Sequence, residues 1–254
     1  MEWSRLGQYR ADVILWMIAE TAIPFLSLAV WYTVALSGQT GPTPQEIVTY
    51  YILIAFIKIA TDSWGGMFLT YEILDGDIVK DLIRPIWPMW KKIANNINEK
   101  TIKLIFPTLI GITVLLLWPN IIDTSLLTTP HLLLAAASLI LAIVLAFVLD
   151  ITLGLIAFWL EDAFQIRRYK FMLEYVASGL IIPFAVMPPI ARTLFEFLPF
   201  RYVLSFPAEL ALGQAEGARA LEGFGIQLTW TIGLLILSWL MWRAGLKRYA
   251  VPGR

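Results

Sequence analysis

The sequence predicts an all-α polytopic membrane protein that crosses the bilayer six times. Of its 254 residues, 59% are hydrophobic and 15% are charged, and the mean hydropathy is +0.73. A soluble domain is about 45–50% apolar and about 25% charged, so one soluble core could not bury this many apolar side chains. This composition excludes an ordinary soluble enzyme, a nucleic-acid-binding domain and a disordered chain. The formal net charge is zero, so no bulk charge draws the chain to an acidic partner.

Six apolar runs are long enough to cross a bilayer, which takes about 20 residues at a rise of about 1.5 Å each. The fifth run is short and contains Pro183, and the fourth is long enough to tilt. We expect the first run to stay as an anchor, because it is longer than the apolar part of a signal peptide and no small-residue cleavage site follows it. The chain is predicted to form one membrane domain over residues 1–254, with spans at about 12–36, 47–70, 101–122, 131–159, 171–187 and 225–243.

Lys and Arg residues in the connecting segments predict the orientation, because cytoplasmic loops are enriched in them. With the N-terminus inside, 15 of the 19 Lys and Arg residues lie on the cytoplasmic side, three lie outside, and Lys58 lies within a span. The first two outer loops, 37–46 and 119–130, contain none. Both termini are therefore predicted to be cytoplasmic.

Two cytoplasmic segments have patterns of their own. Residues 1–11 combine Trp3 with two arginines, which is typical of either a basic anchor at the interface or a short interfacial helix. In the inner loop 71–100, Asp75–Asp77 provide cap and turn residues, and Arg84-Pro85 ends the amphipathic helix that follows. That helix would either dock into another protein or lie on the lipid surface. Its apolar residues are Ile78, Val79, Leu82 and Ile83, and Trp87 and Trp90 come after it.

The outer segment 183–224 is divided by prolines into apolar pieces that are too short to span. Irregular backbone at membrane depth is tolerated only where protein covers it or where it lines a cavity. We therefore predict short re-entrant or surface helices on the outer side, with an outer loop resting on the membrane surface as the alternative. The prolines are Pro183, Pro188, Pro189, Pro199 and Pro207.

Four ionisable residues lie within the predicted spans, namely Glu20, Lys58, Asp62 and Asp150. Such groups are costly in hydrocarbon and usually face a partner or a cavity. One interpretation is a polar lining for a translocation pathway. The other is structural, with Lys58 and Asp62 paired on one helix face and the others bonded to neighbouring helices.

No catalytic or metal-binding residues are predicted. The sequence has no cysteine and one histidine, His131, which we interpret as an interface residue at the outer start of the fourth span. The phosphate-binding pattern G-x-x-x-x-G-K-[ST] is absent, as are H-E-x-x-H and G-x-S-x-G. If ATP drives transport by this chain, another subunit hydrolyses it.

An ordered set of residues runs through both halves of the chain. In the N-terminal half it consists of Gly76, Leu82, Arg84 and Pro85. In the C-terminal half it consists of Ala157–Trp159, Ser178-Gly179, Pro183, Pro188, Leu198–Tyr202, Phe206–Glu209, Leu212-Gly213, Trp230, Gly245, Tyr249 and Gly253. This set resembles the permease subunits of ABC-2 type transporters, in particular the six-span branch found beside daunorubicin-resistance-like ATPases, which includes viologen exporters. The chain departs from that branch at Leu160–Asp162, where Thr-Glu or Gly-Arg is frequent.

The resemblance implies a role for each unusual segment. Residues 78–90 would be a coupling helix seated in a groove of a cytosolic ABC ATPase, residues 183–213 an outer re-entrant gate, and the N-terminal stretch an interfacial helix. It also implies the inner membrane of a prokaryote, a second permease chain, and ATPase subunits that carry ATP and Mg, with no cofactor on this chain. The implied coupling residues are Asp77, Ile78, Leu82, Ile83, Arg84, Pro85 and Trp87, and the implied gate residues are Pro183, Pro188, Pro199, Phe200, Tyr202 and Pro207.

Three functions fit these observations. The resemblance favours the permease of an ATP-driven exporter for a lipophilic, cationic-drug-like or lipid-like substrate. A secondary carrier driven by an ion gradient would use Lys58, Asp62, Asp150 and Glu20, but such carriers often contain two related halves and none is seen here. A structural or assembly protein would need no pathway, and the buried charges argue against it.

Overall fold

The computed structural model describes residues 22–38, 41–117 and 121–249. These residues form α-helices and short 3-10 turns and contain no strand, which confirms the all-α class. The predicted N-terminal interfacial helix and Glu20 lie outside the described residues. The helices are α1 (Ala22–Leu36), α2 (Pro44–Thr61), α3 (Gly65–Leu74), α4 (Ile78–Leu82), α5 (Pro88–Lys103), α6 (Ile105–Leu117), α7 (Thr129–Leu155), α8 (Ala163–Ala177), α9 (Pro189–Glu196), α10 (Pro199–Val203), α11 (Ser205–Ala211) and α12 (Gly217–Tyr249).

Helix α7 is the central helix of the bundle and packs against α2, α3, α11 and α12. Its Leu145 side chain and Ile54 of α2 are fully buried in one large apolar core. A second apolar cluster contains Leu69, Ile78 and Phe158 and joins α3 and α4 to the end of α7. Three described stretches are long and apolar enough to cross a membrane: Pro44–Leu74, Thr129–Phe158 and Gly217–Tyr249.

The predicted fifth span, 171–187, is wrong as a continuous helix. Helix α8 begins earlier, at Ala163, and ends at Ala177. Gly179 then adopts φ +86°, and the following residues are not helical until after Pro183. Tyr50 and Tyr51 of α2 donate hydrogen bonds to the carbonyls of Gly179 and Ile181. These two carbonyl groups therefore have hydrogen-bond donors from α2, and they do not need the donors that a continued helix would supply.

Two other predicted spans are interrupted. The second, 47–70, breaks at residues 62–64 between α2 and α3. In the third, 101–122, Leu104 separates α5 from α6. Helix α7 with its 3-10 turn agrees with the fourth predicted span, and α12 extends beyond the sixth at both ends.

Candidate functional site

Charged side chains from four helices and the break after α2 meet at one end of the bundle, in what we call the polar cluster. At a rise of 1.5 Å per residue, Lys58 lies roughly 21 Å and Asp150 roughly 32 Å from the outer ends of their helices. The cluster is therefore on the predicted cytoplasmic side of the bundle, and most of its side chains are buried. Its members are Lys58, Asp62, Lys100, Lys103, Asp150, Arg167, Lys170 and Glu174.

Within this cluster, Asp150 holds the start of α3. The side chain of the N-cap residue Trp64 does not cap the helix, and its indole N–H donates to Asp62. Instead, Asp150 Oδ2 accepts from the Gly66 N–H at 2.6 Å and from the Ser63 hydroxyl at 3.2 Å. The first N–H groups of a helix lack partners within it, and a carboxylate there also interacts favourably with the helix dipole. Oδ1 pairs with Arg167 of α8, so Asp150 ties α3, α7 and α8 together.

A close backbone approach makes this contact possible. A Cβ on Gly66 would overlap the Asp150 carbonyl, and a Cβ on Gly154 would overlap the Gly66 carbonyl. Glycine at both positions lets α3 and α7 touch backbone to backbone. The Asp150 carboxylate then reaches the N-terminus of α3 directly.

Lys58 on α2 bridges two carboxylates. Its Nζ is 3.2 Å from Glu174 Oε1 on α8 and 3.9 Å from Asp62 Oδ1. Glu174 also pairs with Lys170 on its own helix, and Asp62 Oδ2 lies 3.8 Å from Lys103 Nζ on α5. The predicted pair between Lys58 and Asp62 is present, but the nearer partner of Lys58 is on another helix.

Lys100 on α5 completes the cluster from the predicted cytoplasmic side. Its Nζ donates to the backbone carbonyl of Asp62 at 3.0 Å. This carbonyl follows the end of α2, where the helix dipole is negative and favours a cation. Burial lowers the pKa of the Lys100 ammonium to about 8, against the opposing effect of nearby carboxylates.

A cavity of about 20 Å³ lies beside the cluster, which is room for about one water molecule. Its wall includes Lys58, Asp62 and Asp150, so the structure brings together three of the four predicted pathway candidates. Phe200 and Val203 of α10 also line it. Among the described residues there is no group of three or more side chains suited to hold a metal ion.

The segment predicted to be cytoplasmic begins with α4, which packs through the fully buried Ile78. The predicted capping role of Asp77 is wrong, because its carboxylate makes no cap hydrogen bond and instead pairs with Lys80 at 2.7 Å. Asp81 accepts a hydrogen bond from Lys91 of α5 at 3.0 Å, and this bond lowers the pKa of the Asp81 carboxyl. Helix α4 is thereby joined to α5 by an ion pair.

The other side of α4 and of the turn after it is apolar and exposed. Ile83 has 80% of its surface exposed, and Trp87 packs edge to face against Trp90 with ring centroids 6.3 Å apart. Leu82 is partly buried, whereas Arg84 and Pro85 are exposed. We call this the apolar face, and it consists of Val79, Ile83, Ile86, Trp87 and Trp90.

The proline-rich segment folds into the three short helices α9, α10 and α11. Helices α10 and α11 are buried against α7, which is inconsistent with a loop resting on the membrane surface. Helix α9, in contrast, has no buried residue. Of the predicted gate residues, Pro188 is exposed, and the buried ones are Pro183, Pro199, Phe200, Tyr202 and Pro207.

Arg201 connects the three helices of this outer segment. Its guanidinium lies 2.6 Å from Glu209 Oε2 and 3.4 Å from Glu196 Oε1, and it stacks over the ring of Phe184 at 4.9 Å. The Tyr202 hydroxyl donates to the Glu196 carbonyl at 2.8 Å. One partly buried cation thus joins α9, α10 and α11.

The chain matches the family described as ABC-2 family transporter protein over residues 18–253. It belongs to the ABC-2 transporter family. Comparison with curated proteins and with solved structures found no match. Membership implies the membrane permease subunit of an ABC exporter, which pairs with an ABC ATPase and typically has no ATPase site of its own.

Sequence reasoning missed several cluster residues of this ABC-2 permease. The charge pattern places Lys100 and Arg167 in predicted inner loops and Lys103 at the edge of one, whereas in the structure all three are buried in helices. A signal was available in α5, where polar residues recur at i, i+4, i+8 and i+11, which is one face of a helix. These residues are Lys92, Asn96, Lys100 and Lys103, and all four are buried.

Proposed function

We propose that this ABC-2 permease exports a lipophilic substrate, cationic-drug-like or lipid-like, with energy from a separate cytosolic ATPase. ATP and Mg bind to that ATPase and not to this chain. The permease lies in the inner membrane of a prokaryote with both termini in the cytoplasm, and it pairs with a second permease chain, like or unlike. The observation that carries the proposal is the apolar face of the cytoplasmic segment.

The apolar face suits a groove on another protein. Trp and Arg side chains are enriched at protein interfaces and among the residues that contribute most to binding. Here Trp87 and Trp90 pack edge to face, and the exposed Arg84 lies with its guanidinium 3.7 Å from Asp81 Oδ1. Because α4 is held from behind by Ile78 and by the ion pair between Asp81 and Lys91, a partner pushing on this face would move the helix as a unit.

The outer segment supports a gate. Phe200 and Val203 line the cavity beside the polar cluster, so the proline-rich segment extends deep into the bundle. Drug-sized ligands occupy about 300–1,000 Å³, which is far more than the 20 Å³ of this cavity. We infer a closed conformation, in which the substrate pathway opens between two permease chains when α10 moves.

A secondary carrier is less well supported. It must free a carboxylate to bind its coupling ion, yet Asp62, Asp150 and Glu174 each pair with a Lys or Arg side chain of the cluster. Neutralising Asp62 and Asp150 should abolish transport by such a carrier. Gradient-driven uptake that survives both substitutions would count against it.

The test is a pull-down of the tagged chain from its native membrane in mild detergent, followed by mass spectrometry. We expect a stoichiometric ABC ATPase, and also a second permease if the pair is unlike. Leu82→Asp combined with Arg84→Glu should lose the ATPase while the chain still inserts, whereas Lys80→Gln on the same helix should keep it. A chain that purifies alone, under conditions in which other membrane complexes survive, would contradict the proposal.

A further inference from the structure

The second predicted span contains a break whose two ends are held by other helices. Helix α2 ends at Thr61, and α3 begins at Gly65 after three non-helical residues. At the α3 end, the Gly66 N–H donates to Asp150 on α7. At the α2 end, the Asp62 carbonyl accepts from Lys100 on α5. Since these partners replace bonds that a continuous helix would make, the angle at the break depends on where α5 and α7 lie.

A buried polar stripe on α5 runs along this break. Asn96 Nδ2 donates to the Ser63 hydroxyl at 3.2 Å, and one turn further Lys100 donates to the Asp62 carbonyl at 3.0 Å. The Ser63 hydroxyl in turn donates to Asp150. Two successive turns of α5 therefore contact successive residues of the break, and one of them continues to α7.

The first turn of α5 is joined to the cytoplasmic segment. Lys91 pairs with Asp81 on α4 at 3.0 Å, and Lys92 pairs with Glu72 near the end of α3. From Lys92 to Lys100 the helix rises roughly 12 Å. One short, continuous helix thus connects the segment that carries the apolar face to the break in the span.

We propose that the break at residues 62–64 is the joint through which movement of α4 reaches the outer half of the second span, with Asn96 and Lys100 as the positioning residues that transmit it. The inference rests on the proposed function, because the movement originates in the ATPase. A shift of α4 pulls α5 through Lys91, and α5 shifts the Asp62 carbonyl through Lys100. Helix α2 then tilts about the joint. Its Tyr50 hydroxyl donates a hydrogen bond to the Gly179 carbonyl, so the tilt displaces the start of the outer segment.

The test uses the intact complex of permease and ATPase in lipid nanodiscs. Because this chain has no cysteine, it adds no background to spin labels on introduced cysteines. A lower pair, Lys80→Cys with Arg168→Cys, reports the position of α4 from a residue outside the apolar face. An upper pair, Gln45→Cys with Glu222→Cys, reports the outer end of α2. All four side chains are exposed, so labels do not disturb the packing.

In the otherwise unsubstituted complex, ATP with vanadate should change both distances. Lys100→Met should keep the change in the lower pair and lose it in the upper pair while ATP hydrolysis continues, and Lys100→Arg should restore it. Lys247→Met is the matched control, because it removes an exposed lysine from the last turn of α12 and should leave both changes intact. Unaltered changes in both pairs with Lys100→Met would overturn the joint.

Failure of the joint and failure of the proposed function are distinguishable. If the lower pair never responds to nucleotide, the proposed function fails and the inference fails with it. If the lower pair responds but the upper pair does not, only the joint is overturned. Should Lys100→Met fail to assemble, Asn96→Ala removes the neighbouring contact and is expected to weaken the upper response in the same way.

Discussion

The two ends of the bundle are held together by different interactions. At the polar cluster, Lys58, Lys100 and Asp150 come from three separate helices and form a connected set of ion pairs and hydrogen bonds. In the outer segment, the apolar side chains of α10 and α11 pack against α7, and charge is concentrated around Arg201. The position of the inner helices therefore depends on charge balance, and the position of the outer helices depends mainly on shape.

This difference has an energetic consequence. Removing one partner of a buried ion pair costs about 3–5 kcal/mol, because the other charge stays buried without compensation. Apolar contacts are individually weak, so a helix can exchange one neighbour for another at small cost at each step. We expect the polar cluster to change only as a unit with the helices that supply it, and the outer segment to adjust gradually.

The largest effect is expected from Asp150→Ala. The substitution leaves Arg167 without its carboxylate partner and the Gly66 N–H without its cap, and should lower the free energy of unfolding by about 3–5 kcal/mol. Denaturant unfolding in detergent measures this. Asp162→Ala is the control, since Asp162 is exposed and makes no side-chain cap bond. If Asp150→Ala lowers the free energy of unfolding no more than Asp162→Ala does, the polar cluster does not depend on charge balance and the contrast with the outer segment is contradicted.

Gly66→Ala should be the next most damaging. The added methyl group overlaps the Asp150 carbonyl and forces α3 away from α7, and overpacking of this kind costs about 1–3 kcal/mol. The same unfolding measurement applies. Gly111→Ala on α6 is a matched control with nothing within 4 Å of the new Cβ. Equal stabilities for the two variants would contradict the close approach.

Tyr202→Phe probes the outer segment with a smaller change. It deletes the hydroxyl that donates to the Glu196 carbonyl at 2.8 Å and leaves the apolar packing in place, so it should cost about 0.5–1.5 kcal/mol. Tyr169→Phe, at an exposed position on α8, should be neutral. A cost as large as that of Asp150→Ala would show that the outer segment also depends on polar contacts.

The smallest effect is expected outside the bundle, at Asp81. The hydrogen bond from Lys91 lowers the pKa of this carboxyl. This hydrogen bond therefore stabilises the folded chain at pH values above the ordinary carboxyl pKa of about 3.9. The stabilisation is lost as the pH falls through the lowered pKa of Asp81. Asp81→Asn removes this contribution, so its melting temperature should be slightly below that of the wild type at pH 7 and should approach it in acid. Lys91 is half exposed, and solvent screening keeps the difference small.

The amino-acid pattern was sufficient for some local features and misleading for others. The prolines of residues 183–207 predicted short helices, because each proline ends a helix or begins one, and α9, α10 and α11 are short. The bounds of α8 were wrong for a physical reason. Arg167 and Lys170 precede the predicted start of this span, whereas in the structure both lie in α8, where Asp150 and Glu174 compensate charges that would otherwise be costly.

Composition and hydrophobic periodicity by themselves determined that this protein is a helical membrane protein with an amphipathic segment at 78–90 and a proline-broken segment at 183–224. These features depend only on the order of residues along the chain. The tertiary structure alone decided which charges meet. Asp150 reaches the Gly66 N–H from 84 positions away, and Lys58 reaches Glu174 from 116 positions away. Such partners follow from how helices pack, because the pairing energy of a buried charge depends on distances that no local pattern encodes.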